Sequence, residues 1–245
     1  SPSPLTMADA DVLLHGGTDR ELAGYSIATL DDMDDDGISE LLIGAPHNDT
    51  GGSRSGVAYL VLGSSLTSPG TIDLYDERQL IGESGLDHAG DQVRSAGDVD
   101  TDGIPDLLVA APYNETGGAK SGRVYIVYGI DALTYPSLIL GDADIRIHGE
   151  APHNHAGLGL SQGHDVDGDG SPEIILGAPS NDLGEDDAGR AYLFWGSGLG
   201  SSETKVASEA DVIFSATEED GELGFSVSAG SDVDADGMND VLIGV

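Results

Sequence analysis

Polar and apolar positions alternate over short stretches throughout the chain, and no segment sustains an apolar stripe at helical spacing. Tyr25, Ile27 and Thr29 alternate with small residues, as do Phe225, Val227 and Ala229, the pattern of a strand packed on one or both faces. Short continuous apolar runs follow at Leu41–Ala45, Leu107–Ala111, Ile174–Ala178 and Val241–Ile243, and the first three stop at Pro46, Pro112 and Pro179. Proline lacks the N–H that a sheet ladder needs, so it closes a strand. Polar, glycine-rich loops come next at 47–55, 113–121 and 180–188, then third strands at 56–62, 122–128 and 189–195. A fourth strand precedes each unit's first, at 11–15, 79–81, 144–148 and 211–214. The predicted class is all-β with little helix.

The pattern repeats. Asp32, Asp98, Asp165 and Asp232 each open a nine-residue acidic stretch, and these anchors lie 66, 67 and 67 residues apart. A glycine stands eight residues before each anchor: Gly24, Gly90, Gly157 and Gly224. Four short strands per repeat of this length suit the blades of a β-propeller better than the coils of a solenoid. The expected architecture is four-stranded antiparallel blades, about 3.5 of them. Residues 1–9 are set aside as a linker or processed N-terminus, and 10–245 as the propeller.

The acidic stretches carry the candidate chemistry. Carboxylates at positions 1, 3, 5 and 9 of a tight turn repel one another unless a cation sits among them, and a hard cation prefers oxygen ligands. With the position 7 carbonyl added, the expected ligands are Asp32, Asp34, Asp36, Ile38 and Glu40 in the first loop, and Asp98, Asp100, Asp102, Ile104 and Asp106 in the second. The third set is Asp165, Asp167, Asp169, Ser171 and Glu173, and the fourth Asp232, Asp234, Asp236, Met238 and Asp240. Gly37, Gly103, Gly170 and Gly237 at position 6 permit the bend. An EF-hand opens similarly but needs a glutamate at position 12 between helices; here that position is Ile43, Val109, Leu176 or Ile243 inside a strand. Calcium, about four ions, is the expected cofactor, since magnesium keeps its water and prefers compact octahedral sites.

These residues resemble a known family. Gly-Tyr/Phe-Ser, the aspartate loop, Leu-Ile-Gly-Ala-Pro and then Gly-Arg-Val-Tyr look like the FG-GAP repeat of the integrin α-subunit propeller and its bacterial relatives, over about residues 10 to 245. Units two and three depart at the aromatic position, with Asp91 and Leu158, and lose a packing residue there. The strand pattern amounts to fifteen strands, one short of a closed four-bladed ring. A piece of a longer ring, like the seven-bladed members of the family, is the first expectation; a ring completed by a second copy is the other. The resemblance implies a non-enzymatic extracellular module for adhesion that binds protein or glycan on the face opposite the metal loops.

Composition adjusts this picture in three places. The formal charge of −36, from 45 acidic against 9 basic residues, makes nucleic acid and anionic membrane poor partners. There is no cysteine, which leaves metal as the available staple. No apolar run is long enough for a membrane span and no signal peptide is visible; the Ser1-Pro2-Ser3-Pro4 start suggests processing, which fits a secreted or surface protein. The seven arginines are scattered, with no evident anion-binding cluster. Gly159-Leu160-Ser161-Gln162-Gly163 fits a nucleophile-elbow pattern but has no helix behind it, and His153-Asn154-His155 reads as a solvated turn. An accessory or catalytic propeller of a secreted polysaccharide- or lipid-active enzyme is the competing function. Asn48-Asp49-Thr50 and Asn114-Glu115-Thr116 are glycosylation sequons expected in exposed loops.

Overall fold

A computed structural model describes residues 6, 9–183, 185–200 and 203–245, so most of the 1–9 segment lies outside the described residues. The first unit is preceded by β1 (Val12–His15) and runs through β2 (Ser26–Thr29), β3 (Leu41–Ala45), β4 (Val57–Val61), β5 (Gly70–Asp73) and β6 (Arg78–Ile81). The second contains β7 (Gln92–Gly97), β8 (Asp106–Ala111), β9 (Arg123–Val127), β10 (Ser137–Ile139) and β11 (Ile145–His148). The third contains β12 (Gly159–Leu160), β13 (Ile174–Ala178), β14 (Arg190–Phe194), β15 (Glu203–Val206) and β16 (Val212–Ser215). The fourth contributes the hairpin β17 (Val227–Ser231) and β18 (Asp240–Ile243). The one α-helix among the described residues is the six-residue Gly129–Thr134.

All fifteen expected strands are present, and each complete unit forms a four-stranded antiparallel sheet, β2-β3-β4-β6, β7-β8-β9-β11 and β12-β13-β14-β16. The blades are wider than the sequence suggested. β10 runs parallel to β6, the outer strand of the blade before it, and β15 does the same to β11; β5 pairs in parallel with β1. These three strands lie in the connection from a blade's third strand to its fourth. They were not foreseen because three or four residues in a long connection give too short a pattern to read as a strand.

Four inner strands, β2, β7, β12 and β17, mark the propeller axis: Tyr25, Asp91, Leu158 and Phe225 at their starts line one cavity of about 290 Å³. The sheets do not close into a ring. At the aromatic position of the repeat, Tyr25 is 58 % and Phe225 62 % exposed, whereas Asp91 is buried. The core lies between blades. Leu42, Leu60 and Leu80 of the first blade pack on Val109, Tyr125 and Val127 of the second, and Leu108, Ile126 and Ile145 of the second share a cluster with Leu176, Tyr192 and Phe194 of the third. Middle strands are covered on both sides, which explains the unbroken apolar runs of β8 and β13 beside the alternation of β2.

Adjacent blades touch at backbone level. A Cβ on Gly44 would stand 1.9 Å from the Gly90 carbonyl of the next blade, and one on Gly177 would stand 1.8 Å from that of Gly224. Ser26 and Ser161 add a brace, their hydroxyls accepting the Val93 and Ala229 N–H of the following blade at 3.1 and 3.0 Å. Ser161 is thus a buried link whose own proton goes to the Gln162 carbonyl, a structural assignment for the Gly-x-Ser-x-Gly fragment.

Candidate metal centre

The four acidic stretches are the turns of the innermost hairpins, joining β2 to β3, β7 to β8, β12 to β13 and β17 to β18. Their backbone is bent by positive φ at position 6, from 86° at Gly37 to 96° at Gly170, and no atom lies within 4 Å of a Cβ at any of the four. Conformation alone demands glycine there. Position 4 is also left-handed, at Asp35, Thr101, Gly168 and Ala235, a requirement the sequence reading missed because only one unit meets it with glycine.

Each carboxylate has a fixed task. At position 1 both oxygens accept backbone N–H groups of the turn: Asp32 from Asp36 and Gly37, Asp98 from Asp102 and Gly103, Asp165 from Gly168 and Gly170, Asp232 from Asp236 and Gly237. Position 5 accepts from the N–H of position 7, so Asp36, Asp102, Asp169 and Asp236 hold Ile38, Ile104, Ser171 and Met238 at 2.8 to 2.9 Å. Position 9 is buried in the complete units and spans two elements. Asp106 accepts Val99 N–H and Gly129 N–H, each at 2.8 Å; Glu40 accepts Met33 N–H at 2.7 Å and Glu173 accepts Val166 N–H at 2.5 Å.

Ligand atoms of Asp32, Asp34, Asp36 and Glu40 all lie within 4.8 Å of one another. The same holds for Asp98, Asp100 and Asp106, for Asp165, Asp167 and Glu173, and for Asp232, Asp234 and Asp240. The structure brings positions 1, 3 and 9 together in all four loops and position 5 only in the first. In the other three, Asp102, Asp169 and Asp236 stand outside the group, although all four position 5 carboxylates accept the position 7 N–H. Burial pushes Asp106 up to about 7 against the pull of its two N–H donors, and raises Glu40 and Glu173 for the same first reason. Carboxyl groups crowded this way are poor company for each other and good ligands for a divalent cation, which would restore their ionised form. The donor set, all oxygen and mostly carboxylate, fits calcium.

The opposite face is built differently. Asn48, Asn114 and Asn181, each two residues past the strand-closing proline, donate Nδ2–H to a tyrosine hydroxyl eleven residues on, Tyr59, Tyr125 or Tyr192. In the second unit Glu83 also accepts from Asn114, from Arg123 at 2.7 Å and from the Tyr125 hydroxyl at 2.7 Å. Glu150, Arg190 and Tyr192 repeat this in the third. Burial acts to raise the Glu83 carboxyl, yet the bonds from Tyr125 and Arg123 bring it below its ordinary value. Unit one has Gly17 and Val57 at the Glu83 and Arg123 positions, and Glu21 reaches Asn48 and Tyr59 instead. These networks were missed, although the fixed offsets from proline to asparagine to tyrosine are visible in the sequence. They also overturn the exposed sequons: Asn48 is 0 % and Asn114 1 % exposed, with their amide groups committed.

Comparison with known proteins fits this geometry. The FG-GAP repeat model matches residues 23–61, 92–127 and 156–194, the inner three strands of the three complete blades. The chain belongs to the FG-GAP repeat family. Integrin alpha-PS2 of Drosophila melanogaster is 35 % identical over 172 residues, 66 % of this chain and 12 % of that protein. Phosphatidylinositol-glycan-specific phospholipase D of Rattus norvegicus is 34 % identical over 157 residues, 62 % of this chain and 18 % of the enzyme. Integrin alpha pat-2 of Caenorhabditis elegans is 29 % identical over 236 residues, covering 92 % of this chain and 18 % of that protein. This FG-GAP chain thus spans less than a fifth of the length of these relatives. The fourth hairpin lies beyond the matched residues yet repeats the metal-loop geometry of the other three.

Proposed function

We propose that this FG-GAP chain is a non-enzymatic, calcium-stiffened propeller module that works outside the cell and binds protein or glycan on the face opposite its metal loops. The observation that carries the reading is the recurrence of three converging carboxylates in all four inner hairpins. Each loop takes one calcium ion through positions 1, 3 and 9, with position 5 and the position 7 carbonyl completing the shell as the turn closes on the ion. Calcium then acts on folding: it removes carboxylate repulsion and locks the hairpins around the axis. The extracellular setting is supported by the integrin relatives, and a calcium affinity on the order of 0.1 to 1 mM is what such a module would have. Thermal melts with calcium and with excess chelator test the reading; identical melts would sink it.

The phospholipase D relatives favour a second reading, in which the module is the accessory propeller of a lipid-active enzyme. Hydrolysis of a glycosylated phosphatidylinositol by this chain alone would replace the first reading with a catalytic one.

A further inference from the structure

Four aromatic rings from successive connections form an arc on the face opposite the metal loops. His47 follows β3, His88 precedes β7, Tyr113 follows β8 and His155 precedes β12; their ring centroids follow one another at 5.0, 4.7 and 5.3 Å. Each step is comparable to the width of a sugar ring. The rings are half-buried and tilted against each other by 56 to 66°, so each keeps part of its surface open to solvent.

Charge is distributed unevenly around this arc. Of the nine lysines and arginines, only Arg20, Arg54 and Lys120 are exposed, and all three sit on this face in left-handed turns. The Arg54 carbonyl accepts the His88 N–H and the Lys120 carbonyl accepts the His155 N–H, both at 3.2 Å, so each cation flanks one imidazole. Lys120 Nζ lies 5.9 Å from the Tyr113 ring centroid, beside a cavity of about 290 Å³ that His88, Tyr113 and Lys120 line. The next blade has the same backbone arrangement with the opposite charge: the Glu222 N–H donates to the Asp187 carbonyl at 3.0 Å. The cationic stretch is therefore bounded, three or four rings long, on a chain that is otherwise strongly acidic.

Resting on the interaction-module reading, we propose that this arc binds an acidic polysaccharide, with uronate carboxylates paired to Arg54 and Lys120 and sugar rings laid along His47, His88, Tyr113 and His155. Aromatic C–H contact and hydrogen bonding by ring N–H and phenol O–H recognise the sugar, while the two fixed cations select for acid groups. The imidazoles add a dependence on pH. His88 is held below its usual pKa by burial, then by His47 and Arg54; His155 by burial, Lys120 and His153, with Asp187 opposing. Glu115 also lines the cavity, and Asp87 and Asp91 flank His88 in its own segment. A bound carboxylate favours the imidazolium forms, so affinity rises as pH falls.

The test is calorimetric titration of the calcium-loaded chain with trigalacturonate, at fixed free calcium, beside a neutral galactose trisaccharide and a tri-glutamate peptide. The charge-reversing pair Arg54→Asp and Lys120→Asp gives both positions the residue that the third unit carries there, so the fold is kept. Binding of the uronate, weakened roughly tenfold or more in the double variant and strengthened from about pH 8 to about pH 6, is the expected result. Equal affinity in the double variant, equal binding of the acidic peptide, binding that follows calcium rather than the two cations, or no binding would each overturn the proposal. An unchanged calcium-dependent melt in those cases leaves the module reading intact; loss of that dependence is the separate failure of the metal centre.

Discussion

The two faces of the propeller hold their loops in opposite ways. On the metal face, carboxylates converge with only backbone N–H groups for company and no cationic side chain within salt-bridge distance among the described residues. On the other face, the partly buried carboxylates of Glu83 and Glu150 are answered internally by Arg123, Arg190 and the tyrosine hydroxyls. One face leaves its carboxylates without an internal counter-charge and the other carries its own. The stability of the metal face should therefore respond to calcium, and that of the opposite face to mutation of its own partners.

Calcium removal is the sharpest way to break the comparison. At about 10 mM calcium and the affinity stated above, each site contributes about 1.4 to 2.7 kcal/mol, so four sites stabilise the chain by about 6 to 11 kcal/mol. Melts in chelator should fall by many degrees, and a drop of only a degree or two would mean that the faces do not differ. Next comes Arg123→Ala, which strands the Glu83 carboxylate and should cost about 3 kcal/mol in both calcium and chelator. Chemical denaturation under the two conditions measures it; a loss seen only in chelator would tie that network to the metal. Gly103→Ala, at φ +94°, should cost about 1 to 2 kcal/mol and lower calcium affinity at that loop alone, as read by calcium titration.

The smallest effect is that of pH, and the difference between calcium and chelator isolates it at the metal face. Without calcium, Asp106 at about 7 binds a proton in the folded state that the unfolded chain releases near 4, so stability rises as pH falls from 7 toward 4. With calcium the ion competes with that proton, so the stabilisation by calcium shrinks over the same window. The gap between calcium and chelator melts should narrow from about pH 8 to about pH 5, and a gap independent of pH would exclude Asp106 from the site.

Much of this was legible in the residues. The period, the four inner hairpins and the position of the acidic loops follow directly from spacing, because a repeat states its geometry several times over. Three things were not. That Asp36 joins its carboxylate group while Asp102, Asp169 and Asp236 stand outside theirs is a matter of side-chain placement that residue type does not encode. Asn48 and Asn114 look like exposed loop residues until the tyrosine eleven positions later is known to point at them. The scattered cations at 54 and 120 become neighbours of histidines only when turns from different blades are laid side by side.

The parallel strands β5, β10 and β15 have a consequence for assembly. Each is contributed by one unit and finishes the rim of the unit before it, so the outer edge of a blade is sealed by its successor, like overlapping roof tiles. A blade made alone would leave that rim open for pairing with any passing strand. During synthesis from the N-terminus, each new unit covers the outer strand of the one before it.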